Sequence, residues 1–121
     1  MKTLYLPLKA KWYDMIESLI KPEEYRGITA YWIVRLFRYK NGIKISSETA
    51  NFLASNIAIL KWWIESGKLV FRHFDFAKFY YGYTKRTMTF EIERITIGKG
   101  KPEWGATADK EVFIIKLGKR L

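Results

Sequence analysis

Six residues, Lys21-Pro22-Glu23-Glu24-Tyr25-Arg26, set two cations and a carboxylate on the spacing K-x-x-E-x-R. These side chains could do chemistry together. A lysine beside a glutamate can supply charge, or move a proton if burial lowers its pKa. A carboxylate can accept a hydrogen bond from an exocyclic amine such as that of cytosine. A guanidinium can hold a phosphate through two hydrogen bonds or stack on a base. Pro22 disfavours helical geometry at Lys21 and removes a backbone donor, so the segment reads as the handover from a helix to an extended strand. In an extended chain Glu24 and Arg26 point to one side and Tyr25 to the other. The same residues also suit an internal knot, with Glu24 paired to Arg26 or Lys21. The pattern alone leaves both readings open.

Other candidates lie further along the chain. Arg35 and Arg38 are three residues apart in a helical pattern, so they share a side and could grip phosphates, or simply be solvated. Lys78, Tyr81 and Tyr83 flank a predicted hairpin and could stack on bases beside a cation, or pack with their hydroxyls at a rim. Trp104 could close over a base or anchor its loop. His73 reads as a surface residue. Trp62 and Trp63 read most simply as core, but adjacent side chains cannot both face inward from a helix, so they also suggest a partner helix or homodimer surface.

The elements that must position these residues follow from periodicity. Leu4, Leu6 and Leu8 alternate with Thr3, Tyr5 and Pro7, which predicts a strand, with Pro7 at an edge or end. Trp12, Met15, Ile16 and Leu19 predict a helix over residues 10–20. Thr29 is the expected N-cap of a second helix running to about Tyr39, closed by Asn41-Gly42. Residues 46–66 carry the longest helical pattern, capped by Ser46 or Ser47 and apolar on more than one side. Residues 74–81 and 87–97 predict two strands joined by a hairpin, with a slip in phase at Arg94 that marks a bulge or bend. Residues 98–109 read as a functional loop, and Val112 to Leu117 as a central strand. Late strands with segregated helices argue an α+β fold, and short bulged strands suit a small closed or half-closed barrel.

Composition bounds the function. The chain has 121 residues, 49% of them hydrophobic, enough for one domain with one core. Lys and Arg number 22 against 12 acids, a formal charge of +10, which points to polyanions, nucleic acid before an acidic membrane surface. The absence of cysteine excludes disulfides, thiol nucleophiles and thiolate metal sites, and the single His73 makes a His-rich metal site or a Ser-His-Asp triad untenable. No metal or cofactor is expected. No stretch is apolar enough to span a membrane, and Pro7, Lys9 and Lys11 interrupt the N-terminus as a signal peptide, so a cytoplasmic protein is the default expectation. Aromatic residues are 17% of the chain, enough to fill a core and still leave a few for base stacking.

The run Leu6-Pro7-Leu8-Lys9, the helix from Trp12 to Leu19 and the motif Lys21-x-x-Glu24-x-Arg26 together resemble the opening of an ASCH domain. Further similarity lies in Tyr31-Trp32-x-x-Arg35, Phe74-Asp75, Gly82-Tyr83, Ile97-Gly98-x-Gly100, Trp104-Gly105-Ala106 and Ile114 to Gly118. The family motif is usually G-x-K-x-x-E-x-R, and Leu19 stands where the glycine would be. The resemblance covers about residues 1–40 and 74–121, with residues 43–72 as a variable helical insertion in a single domain. It implies a PUA-like mixed β-barrel of about five to six strands flanked by two or three helices. It also implies a cleft lined by the motif that holds RNA or a modified nucleoside. Some similar bacterial proteins are amidohydrolases acting on N4-acetylcytidine, but Glu24 stands where those carry a threonine nucleophile. Three expectations follow. The first is an RNA- or other nucleic-acid-binding module using Lys21, Glu24, Arg26, Arg35, Lys78, Tyr83 and Trp104. The second is a small hydrolase of a modified nucleoside or RNA, with Lys21 and Glu24 catalytic. The third is a protein-interaction domain, with a homodimer through the Trp62/Trp63 helix.

Overall fold

The computed structural model describes residues 2–121 and has an α+β architecture. In chain order the elements are β1 (Thr3–Leu8), α1 (Ala10–Glu17), β2 (Glu23–Arg26), α2 (Ala30–Leu36), β3 (Phe37–Tyr39), α3 (Ser47–Ala54), α4 (Ile57–Glu65), β4 (Leu69–Phe71), β5 (Phe76–Tyr81), β6 (Thr87–Lys99) and β7 (Glu111–Arg120), with a 3-10 turn at Pro102–Trp104. The chain forms two compact units. One comprises residues up to Tyr25 together with those from His73 onward, and the other runs from Arg26 to Arg72.

The first unit is built on a five-stranded mixed sheet in the order β1-β5-β6-β7-β2. The sheet curls as a half-barrel and does not close, because β1 and β2 are its two edges. The alternation in β1 buries Leu4, Leu6 and Leu8 and leaves Tyr5 and Pro7 exposed. Each buried leucine contributes roughly 1.5–3 kcal/mol, which is enough to hold this register. Pro7 has its expected place on an edge strand. β1 runs parallel to β5, from Thr3 beside Phe76 to Leu8 beside Tyr81. The phase slip near Arg94 is a real irregularity, with register shifts between Phe90 and Ile92 and between Ile92 and Arg94. The expected central strand near 112–117 is the middle of β7, between β6 and β2.

Helix α1 stops at Glu17 rather than continuing to residue 20. The Leu19 N–H donates to the Ile16 carbonyl and the Ile20 N–H to the Met15 carbonyl, both at 3.0 Å. This is a Schellman ending, and it requires left-handed backbone at Leu19, whose φ is +64°. Leu19 therefore leaves the apolar stripe and is 73% exposed, while Tyr13 and Ile16 carry the buried face.

The second unit holds α2, α3, α4 and a small antiparallel pair of β3 with β4. Thr29 caps α2 as expected, accepting from the Trp32 N–H. The helix ends at Leu36, not near Tyr39, because Phe37 turns extended and pairs across to Phe71, their rings 4.2 Å apart. Arg38 thus lies on a strand and shares no helical face with Arg35. Its guanidinium donates to the Val34 and Phe37 carbonyls. Burial, then the nearby Arg72 charge, lowers its pKa. The single helix expected over 46–66 is two helices broken at Ser55-Asn56. The Asn56 side-chain amide donates to the Phe52 carbonyl at 2.8 Å, a local bond that competes with helical continuation. Ser46 is the N-cap of α3. Trp62 is exposed, and Trp63 is half-buried with the Lys68 ammonium 3.8 Å from its ring centre. Among the described residues no helix is long and apolar enough to cross a membrane.

Candidate functional site

The Schellman turn delivers the motif. A second bond to the Met15 carbonyl, from the Lys21 N–H at 3.0 Å, fixes Lys21 directly under the end of α1. The chain then enters β2, where the Leu117 N–H of β7 donates to the Pro22 carbonyl. Among the described residues Lys21 and Glu24 are the charged side chains that are buried, 2% and 5% exposed. A lysine and a glutamate are almost never that deep unless paired. Here the Lys21 ammonium lies 2.9 Å from Glu24 Oε1 and also donates to the Trp104 carbonyl. It sits 4.7 Å from the Trp12 ring centre and 5.3 Å from that of Tyr25. Glu24 Oε1 accepts from the Tyr25 N–H as well, at 2.9 Å.

The loop after β6 closes this arrangement. Tyr25, Ala106 and Val112 form a small core against which Trp104 and Ile114 pack. Gly100 allows the approach: a Cβ there would fall 2.7 Å from Ala106 Cβ and from the Tyr25 ring. Gly105 holds φ +103° beneath the Trp12 ring, which a Cβ would meet at 3.1 Å. The Tyr25 hydroxyl donates to Glu23 Oε2 at 2.7 Å and accepts from the Lys101 N–H at 3.1 Å. Burial, more than any neighbour, pushes this phenol well above its ordinary pKa, so it stays a neutral donor. Trp104 therefore anchors its loop. Its ring is half-buried and its carbonyl takes a charge-assisted bond from Lys21.

The second unit carries a cluster of arginines and aromatic rings. The Arg26 guanidinium sits 5.4 Å from the Trp32 ring centre. Arg35 sits 5.2 Å from that of Tyr31 and 5.8 Å from that of Trp32. The two rings meet edge to face, 5.0 Å apart. Thr29 sets this geometry, since its cap starts α2 with Tyr31, Trp32 and Arg35 in its first turns. Tyr31 is exposed, and Arg35 Nε is buried with no acceptor among the described residues.

Lys21, Glu24 and Trp104 come together in one buried knot, and Arg26 and Arg35 share an aromatic pair. Lys78 lies on β5, and Tyr83 stands in the turn after it. His73 is on the surface, 2.8 Å from Asp75. Sequence reasoning missed Trp12, which it used only to place a helix, and Tyr31 and Trp32 as ring partners of arginine. The spacing Tyr31-Trp32-x-x-Arg35 was the available signal for the latter, because residues three and four apart on a helix meet.

Searches of family models, of curated proteins and of solved structures returned no match for this chain.

Proposed function

We propose that the protein binds RNA, and that it is a member of the ASCH family with a PUA-like half-barrel. The observation that carries this reading is the pair of guanidiniums, Arg26 and Arg35, held against the Tyr31 and Trp32 rings in a chain of charge +10. A guanidinium can hold a phosphate through two hydrogen bonds, and the exposed Tyr31 ring offers a stacking face beside Arg35. The buried Arg35 Nε–H adds to this, because a phosphate oxygen would supply the acceptor it lacks among the described residues. Leu19 supports the family reading. It stands where the family motif usually has glycine and holds φ +64°, backbone that glycine takes without strain.

Binding is favoured over hydrolysis by the state of Lys21. Its ammonium is held by a carboxylate and a carbonyl and lies between two aromatic rings, an arrangement that suits a structural cation better than a proton carrier. In this reading Lys21 and Glu24 are structural, and recognition falls to Arg26 and Arg35. The test is binding of a fluorescein-labelled single-stranded RNA to wild type, Arg35→Lys and Arg26→Ala/Arg35→Ala across a salt series, with circular dichroism to verify folding. Arg35→Lys keeps the charge but loses the planar fork, so affinity falls several-fold. The double alanine variant also lowers the salt slope, by about 0.7 for each phosphate no longer held. An unchanged slope and affinity in that variant would overturn the reading.

A further inference from the structure

The first unit carries a separate aromatic cluster on the outer face of its sheet. The alternation that buries Leu4, Leu6, Ala77 and Phe79 turns Tyr5, Pro7, Lys78 and Tyr80 the other way. The parallel register sets Tyr5 beside Lys78 and Pro7 beside Tyr80. The Tyr5 and Tyr80 rings lie 6.3 Å apart, tilted by 39°, and the Lys78 ammonium is 5.9 Å from the Tyr80 ring centre. Tyr83 stands at the tip of the β5–β6 turn, 99% exposed, and Tyr5 is 52% exposed. Tyr5, Pro7, Tyr80, Gly82, Tyr83 and Thr84 line a shallow pocket of about 340 Å³. None of the six is acidic, and Lys85 follows them in the turn, exposed.

We infer that this face is a stacking platform for unpaired bases of a single-stranded nucleic acid, with Tyr5, Tyr80 and Tyr83 against the bases and Lys78 beside the backbone phosphate. Every base has a π-face, and only an unpaired strand can turn it toward a protein ring. A duplex keeps its base faces stacked inside, so it meets this surface through charge alone. Walls of tyrosine and proline also suit a proline-rich peptide. Such a peptide brings no anion to Lys78, and the charge of +10 favours a polyanion. The inference rests on the nucleic-acid reading above for the class of ligand, but on residues entirely distinct from Arg26 and Arg35.

The test uses a labelled uridine decamer and an RNA duplex of the same length, with wild type, Tyr5→Ala/Tyr83→Ala and Tyr5→Phe/Tyr83→Phe. Both tyrosines are exposed, so neither double variant disturbs the core. Removing the ring under one stacked base weakens binding roughly 5- to 150-fold, so the alanine pair binds the decamer at least about 5-fold more weakly. Duplex binding and the salt slope stay as in wild type, and the phenylalanine pair binds the decamer as wild type does. Decamer affinity unchanged in the alanine pair overturns the platform and leaves the arginine site standing. A nitrogen-15 NMR titration separates the two sites. Decamer-induced shifts at Tyr5, Tyr80 and Tyr83 support the platform, even if Trp32 and Arg35 are silent, in which case the arginine reading falls instead. Shifts at Tyr5 and Tyr83 produced by a proline-rich decapeptide and not by the uridine decamer assign the pocket to peptide and overturn the inference.

Discussion

Replacing Lys21 by methionine should unfold this protein far more easily without first touching any ligand. The substitution keeps most of the apolar stem and removes the ammonium. Glu24, 5% exposed, then loses the ammonium 2.9 Å from its carboxylate, and the Trp104 carbonyl loses its donor. Breaking a buried pair from one side costs about 3–5 kcal/mol. Glu24→Gln should cost a similar amount, because it strands an ammonium that is 2% exposed. The double variant Lys21→Met/Glu24→Gln carries neither charge and should lie within about 2 kcal/mol of wild type, since replacing both members of such a pair is often close to neutral. The cycle then gives a coupling of at least about 3 kcal/mol. Urea unfolding followed by tryptophan fluorescence measures it. With a slope of about 2 kcal/mol per molar, a 4 kcal/mol loss moves the midpoint by roughly 2 M. A ligand-contacting Lys21 predicts the opposite pattern, lost RNA binding with stability within about 0.5 kcal/mol of wild type. Single variants that each cost less than about 1 kcal/mol, or a double variant as damaged as the sum of the singles, would refute the buried-knot reasoning.

The turn after α1 gives a stabilising change: Leu19→Gly removes the left-handed strain of a non-glycine residue, about 1–2 kcal/mol, against an unfolded-state entropy penalty of about 0.5–1 kcal/mol. The urea midpoint should therefore rise by the equivalent of about 0.5–1 kcal/mol, and a fall would show that exposed Leu19 makes an interaction of greater worth. Asp75 supplies a pH dependence. The Lys2 backbone N–H, and then His73, hold its carboxyl below the ordinary range. Because the folded pKa lies below the unfolded one, this contribution is complete above about pH 4 and disappears as pH falls through the folded value. The stability gap between wild type and Asp75→Asn should accordingly narrow below about pH 4 in urea titrations, and a gap that stays constant down to about pH 2 would exclude it.

Much of this protein is legible from its residues alone where the deciding interactions are local. The leucine alternation determines β1, because one residue of slip would expose Leu4, Leu6 and Leu8 together. Thr29 and Ser46 determine where α2 and α3 begin, through a side-chain oxygen three residues from the N–H it accepts. The three-residue spacing of Lys21 and Glu24 is enough to suggest a pair, and the pair forms. The surface position of His73 follows from its polar setting.

Tertiary structure decided the rest. The helical pattern past Leu36 yields to pairing of Phe37 with Phe71, a partner beyond two intervening helices. That the Lys21 ammonium reaches the Trp104 carbonyl, 83 residues on, and lies 4.7 Å from the Trp12 ring centre could not be read from spacing. The parallel pairing of β1 with β5 likewise gathered Tyr5, Lys78 and Tyr80 on one face. Periodicity reports how a segment divides its own faces. Which distant atoms come to lie against those faces is set by closing long loops, and that free energy is shared among all the interactions that close them.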